Sequence, residues 1–228
     1  VYNTPRAWFM ERYLNPHTKM WDGEHADYTP FSDDIPWCMV PERKITVEDV
    51  KYVLSSHFQG TPYDPYAAYG DKSMKGAFRS IGINRNDFVA VLQLRSGMEK
   101  DCSAVEWIAY ASNAFNTLAP FYPMVDETPE YLSNTTGDAS TENFYWASRM
   151  IAAMTDASYG RSVFHAERYQ ESVMAKSHRL LNRYDALLNQ ESDSMKRQEI
   201  RQRANEEVLC KVTLTAPVIL NNDISCDS

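Results

Sequence analysis

Imidazole and thiolate carry much of the metal, acid–base and nucleophilic chemistry available near neutral pH. The chain holds five histidines and four cysteines. His17 and His25 flank Asp22, Glu24 and Asp27, a mixture of nitrogen and oxygen ligands that zinc accepts. Their spacing matches no common ligand pattern, and the stretch reads as a solvated acidic loop. His57, His165 and His178 stand singly on expected helices, where a hydrogen-bonded or surface histidine is the ordinary case. His165-Ala166-Glu167 has the letters of the zinc deaminase H-x-E, but no P-C-x-x-C follows it.

Cys38, Cys102, Cys210 and Cys226 lie far apart and form no C-x-x-C, so neither a zinc knuckle nor a redox pair is indicated. Free thiols in a reducing cytoplasm are the expectation. Cys38, in "IPWCMVP", is expected to be buried and inert. The chain has no G-x-S-x-G, Walker loop or G-x-G-x-x-G. Nothing calls for a metal or other cofactor. Asn134-Thr135-Thr136 fits the glycosylation sequon, a three-letter pattern that recurs by chance.

The elements that would position any site follow from caps and periodicity. Thr4 and Pro5 read as cap and first helical residue, with Arg6 at once in the first turn, and the helix runs to about Leu14 before Asn15-Pro16. Residues 17–41 read as an extended loop. A second helix is expected over 46–58, capped by Thr46, with Val50, Val53, Leu54 and His57 on one face. Strands are expected at 79–84 and 87–95, joined at Arg85-Asn86, with a third near 103–111. Three strands with two largely covered faces are too few for a stable isolated sheet, so further strands are expected from elsewhere. From Thr141 three helical stretches follow, the last at about 192–214, and a polar tail begins after Pro217.

A formal charge of -8 and a pI near 5.2 argue against general affinity for nucleic acid or an anionic membrane. No apolar run approaches the roughly 18–20 residues needed to span a bilayer. From the residues alone, the chain is an α+β piece with a helical tail.

Long stretches go further. "YNTPRAWFMERYLNP", "HADYTPFSDDIPW", "VEDVKYVLSSHFQGTPYDPY", "IGINR", "VEWIAYASNAFNTLAPFY" and "STENFYWASRMIAAM" resemble the bacterial dipeptidase A family of N-terminal-nucleophile hydrolases, from Tyr2 to about Leu209. Penicillin and bile-salt amidases and secernins are its more distant kin. The resemblance implies a four-layer αββα sandwich with antiparallel sheets, hydrolysis of dipeptides, and an N-terminal cysteine exposed by removal of a short leader. Residue 1 here is Val1, and no cysteine heads the chain. The expectation is therefore a C-terminal portion: residues 1–140 as part of the hydrolase core, 141–215 as a helical extension and 216–228 as a flexible tail. The nucleophile would lie upstream, and the chain alone would be inactive.

In the related amidases an arginine near a helix start stands beside the nucleophile, and Arg6 in "NTPRAW" is the matching position. The resemblance implies that it supports an oxyanion or a substrate carboxylate. Asn84 and Arg85 are a second candidate pair for substrate binding, and Tyr2 and Asn3 are placed near the pocket without roles. Partners are then dipeptide substrates, the missing N-terminal half and a homo-oligomer built on the long helices, with the protein in the cytoplasm. The alternatives are a noncatalytic scaffold or oligomerisation module, or a secernin-like protein of unsettled activity.

Overall fold

The computed structural model describes the backbone of residues 2–215 and the side chains of 2–212; the expected flexible tail, 216–228, lies outside the described residues. The chain divides into two compact units between Ile83 and Asn84.

The first unit is built on two short helices and an aromatic cluster. α1 spans Thr4–Leu14 and α2 spans Val47–Leu54. Asn3, not Thr4, occupies the cap position of α1, and its side chain caps no backbone N–H. Trp8 and Phe9 on α1 are buried with Trp21 and Phe58, and Tyr63, Phe78 and Ile81 pack around them. The loop of residues 17–41 is held by its backbone: the Trp8 indole donates to the Trp21 carbonyl (3.3 Å), and the Trp21 indole to the Asn15 carbonyl (2.8 Å). α2 begins with a complete capping box, the Thr46 hydroxyl and the Asp49 carboxylate each accepting the other's backbone N–H. Arg43 adds two bonds of 2.5 Å to Asp49 and holds its carboxyl well below the usual carboxylate range. α2 is shorter than the expected 46–58: it stops at Ser55, and Phe58 lies in the left-handed region (φ 66°), which turns its ring into the core.

The strand expected at 79–84 does not form. A Cβ on Gly82 would sit 2.5 Å from the Ser55 carbonyl oxygen, and the Gly82 N–H donates to the Ser56 carbonyl at 2.8 Å. The segment thus spends its backbone on the turn after α2, with glycine required by that close approach. The hairpin expected at Arg85-Asn86 is replaced by a turn that leads into the second unit.

In the second unit β1 (Phe88–Leu94) pairs antiparallel with β2 (Ala104–Tyr110), and β2 with β3 (Ala119–Phe121), in the order β1-β2-β3. Val91 faces Trp107, and Glu106 faces Phe121. Alternation sends Val105, Trp107 and Ala109 into the core. The opposite face carries Phe88, Leu92 and Leu94, which are 62%, 76% and 83% exposed. An apolar sheet face open to water is unusual for an antiparallel sheet, whose solvated side is normally polar.

The short α3 (Glu130–Ser133) precedes α4 (Phe144–Ala157), α5 (Tyr159–Gln190) and α6 (Ser194–Thr215). The buried stripe of α4 is Phe144, Ala147, Ser148, Ile151, Ala152 and Thr155, while Met154 is half exposed. α6 is fastened to β3 by Asn205, whose side-chain amide accepts from the Tyr122 N–H (2.9 Å) and donates to the Tyr122 carbonyl (3.0 Å). It is fastened to the β1–β2 connection by Arg197 and Arg201, which both bind Asp101. The whole is a mixed architecture of helices and antiparallel sheet, as the sequence implied.

Candidate functional site

Pro5 is one of the first residues of α1, where a missing N–H costs nothing, and its fixed φ sets the helix entry. Arg6 leaves the helix in that first turn. Its Nη1 donates to Asn3 Oδ1 at 3.1 Å, and its Nε to the Arg79 carbonyl at 3.1 Å, a partner 73 residues away. Its guanidinium carbon lies 4.8 Å from the centre of the Tyr2 ring.

A second guanidinium meets the same ring. Arg79 Nη1 donates to the Tyr2 hydroxyl at 2.5 Å, and its guanidinium carbon is 5.9 Å from the ring centre. Arg79 is placed by its neighbours: Phe78 stacks among Phe31, Phe58 and Tyr63, and Gly82 is seated against Ser55. The two cations hold the Tyr2 hydroxyl below its ordinary pKa, Arg6 contributing most and Arg79 next, against a desolvation effect that raises it.

Neither Arg6 nor Arg79 forms an ion pair with a carboxylate among the described residues. By contrast, Arg12 binds Asp22 (2.7 Å) and Arg43 binds Asp49 in the same unit. Two guanidinium groups on one phenol, without an anion, are an arrangement that a carboxylate or oxyanion completes by charge-assisted hydrogen bonds.

Asn84 and Arg85 are exposed in the turn before β1, and neither makes a hydrogen bond or ion pair among the described residues. Arg79 was missed by sequence reasoning because "FRSIG" reads as strand. The signal for it was Gly82, whose close contact with Ser55 argues for a turn rather than a pleated run.

Several other reactive side chains are engaged. His17 bonds Glu42 (3.0 Å), which also accepts from the Thr18 hydroxyl and both backbone N–H groups; these bonds, Thr18 first, draw the Glu42 carboxyl down to about 2. Asp22 serves Arg12, and Asp27 accepts the Met20 N–H (2.8 Å). Among the described residues no group of three or more histidine, cysteine or acidic side chains is placed to hold a metal. His57 Nδ1 lies 2.9 Å from Asp64, an inward-facing pair that ties the turn after α2, and the neighbouring Ser56 hydroxyl accepts the Phe58 N–H. Cys102 is buried, and burial followed by Asp101 pushes its thiol up.

Two expectations about cysteine fail. Cys38 is exposed, because the extended segment turns Met39 toward the aromatic cluster and so its neighbours Cys38 and Val40 outward. Cys210 is disulfide-bonded, so the set of four free thiols that suggested the cytoplasm does not hold. No helix among the described residues is long and apolar enough to cross a membrane.

The class these features define is an α+β protein with two arginines gathered on Tyr2 at the head of its first helix. Residues 1–172 match Peptidase family C69, and the chain belongs to that family. It is 55% identical over 181 residues to a dipeptidase of Bifidobacterium longum, an overlap covering 79% of this chain and 34% of that protein. It is 41% identical over 230 residues to a probable dipeptidase A of Streptococcus pyogenes, covering 98% of this chain and 47% of the relative. Against dipeptidase A of Lactobacillus helveticus it is 34% identical over 186 residues, covering 81% and 37%. The chain thus spans between a third and a half of the length of these relatives.

Proposed function

We propose that this chain is the C-terminal portion of a cysteine-type dipeptidase, with the nucleophile supplied by sequence upstream. The relatives named dipeptidase support the reaction class, and their greater length supports an additional segment. In this reading the thiolate of an N-terminal cysteine attacks the peptide carbonyl, its own α-amine serving as base, so no histidine of this chain is required. The observation that carries the reading is Arg6: a guanidinium pinned in the first turn of α1, held by Asn3 and the Arg79 carbonyl, and left without a carboxylate. Its role is to support the oxyanion or the substrate carboxylate.

The exposed apolar face of the sheet fits the same proposal. Phe88, Leu92 and Leu94 form one inner surface of a four-layer αββα sandwich, and the upstream strands supply the sheet that covers them. Residues to about 140 then belong to the hydrolase core and 141–215 to a helical extension.

The test is the complete gene product. Its intact mass should show a trimmed chain that begins with cysteine, and it should hydrolyse dipeptides in a thiol-dependent way. Arg6→Ala should lower kcat/KM by about 10²–10³, the range for losing one oxyanion donor, and Arg6→Lys should restore little. A gene product with no such cysteine, or an Arg6→Ala enzyme at full rate, would sink the proposal.

A further inference from the structure

We infer that Arg79, with Arg6 and the Tyr2 hydroxyl, forms a receptor for a free carboxylate, and that this receptor selects substrates by their C-terminal α-carboxylate. The inference rests on the peptidase reading for its substrate but on the side-chain cluster for its chemistry.

Arg79 is the decisive member. Its Nη1 reaches Tyr2 at 2.5 Å, yet no acidic side chain among the described residues answers its charge. A neighbouring positive charge makes this worse, since Arg6 points at the same ring. Arg79 and Tyr2 are exposed, so water screens the repulsion, and an anion that joins the two like charges removes what remains. Several other arginines are matched: Arg43 with Asp49, Arg95 with Asp185, Arg197 and Arg201 with Asp101. What sets Arg6 and Arg79 apart is that both converge on the Tyr2 ring.

The cluster is also preorganised. Arg6 is fixed through Nη1 by Asn3 Oδ1 and through Nε by the main-chain oxygen of Arg79 itself, which leaves Nη2 for a ligand. Arg79 is flanked by Phe78, packed in the aromatic cluster, and by the Gly82 turn. Two guanidinium groups gathered at one ring suit a planar carboxylate, whose two oxygens each accept from one of them. The Tyr2 hydroxyl, which accepts from Arg79, occupies the place of the anion when no ligand is bound. An incoming carboxylate takes over the Arg79 bond, and the phenol then donates to it.

The consequence is specificity by length. A dipeptide presents its carboxylate at a fixed distance from the scissile carbonyl. A dipeptide amide lacks the charge, and a longer peptide carries it farther away.

Two measurements test this. In the 228-residue chain, the arginine side-chain NMR signals of Arg6 and Arg79 are followed while alanylalanine or alanylalanine amide is added. Both signals should shift together with the free acid and stay unmoved with the amide. In the complete protein, Arg79→Gln keeps the carbonyl that positions Arg6 but removes the fork. It should raise KM for alanylalanine about 10–100-fold, the scale of a lost charged hydrogen-bond pair, with kcat within about threefold. Turnover of the amide should be poor in the wild type and unchanged by the substitution. Arg79→Lys should recover only part of the loss, and Lys44→Gln, on the exposed loop, should change nothing. Equal shifts with acid and amide, no shift with either, or an unchanged KM in Arg79→Gln would overturn the receptor. A complete protein that shifts with the acid yet hydrolyses no dipeptide would refute the peptidase reading and leave the receptor standing.

Discussion

The arginines of the two units serve different ends. In the second unit they join distant segments: Arg197 and Arg201 tie α6 to Asp101, and Arg95 ties the end of β1 to Asp185 on α5. Arg197 and Arg201 are nearly buried, their side chains 10% and 7% exposed, and such charges persist only when paired. In the first unit Arg6 and Arg79 share a phenol and no carboxylate. The difference separates cations that complete the fold from cations that we propose take a ligand. Sequence alone does not make that separation, since the partners of these arginines lie far off in the chain.

Stability measurements can break the comparison. Asp101→Ala should destabilise the chain most, by about 3–5 kcal/mol in thermal or urea unfolding, because it strands two inward-facing guanidinium groups. Its hydrogen bonds with Arg197, then the nearby charges, hold the Asp101 carboxyl at about 2. A carboxyl depressed in the fold adds stability that is complete above its unfolded pKa of about 3.9 and fades as pH falls toward the folded value. The gap between wild type and Asp101→Ala should therefore be full above about pH 4 and narrow below it.

Thr46→Ala should cost about 1 kcal/mol by removing one half of the capping box of α2. Arg79→Gln should leave stability within about 0.5 kcal/mol, as for an ordinary surface site. If it instead cost as much as Asp101→Ala, Arg79 would belong with the arginines that hold the fold. Leu92→Thr should have the smallest effect in this chain, within about 0.5 kcal/mol, since Leu92 is 76% exposed. In the complete protein the same change should cost more than about 1 kcal/mol, the scale for deleting buried methyl groups, if upstream strands cover that face.

Much of the fold was legible because its signals are local. Pro5 and Asn15-Pro16 bracket α1, Thr46 and Asp49 announce α2, and alternation marks β1 and β2. The long helices follow the spacing of Tyr169, Val173, Leu180, Leu181, Tyr184 and Leu188. What escaped was tertiary. β3 is three residues with a proline inside, recognisable only by its pairing with Glu106–Ile108. Residues 79–84 have strand-like composition but are bent by the contact of Gly82 with Ser55. Arg6 was legible as a candidate through its helix start and the family resemblance. Arg79 was not, since its partner stands at Tyr2, far off in sequence, and no periodicity links them.

The central claim, that this chain supplies the arginine side of a site whose nucleophile lies elsewhere, is tested most directly by comparing dipeptide hydrolysis in two preparations. The 228-residue chain alone should show no turnover, and the complete protein carrying the upstream cysteine should show turnover that a thiol-blocking reagent abolishes. Hydrolysis by the chain alone, lost when its exposed thiol is removed by Cys38→Ala, would contradict the account.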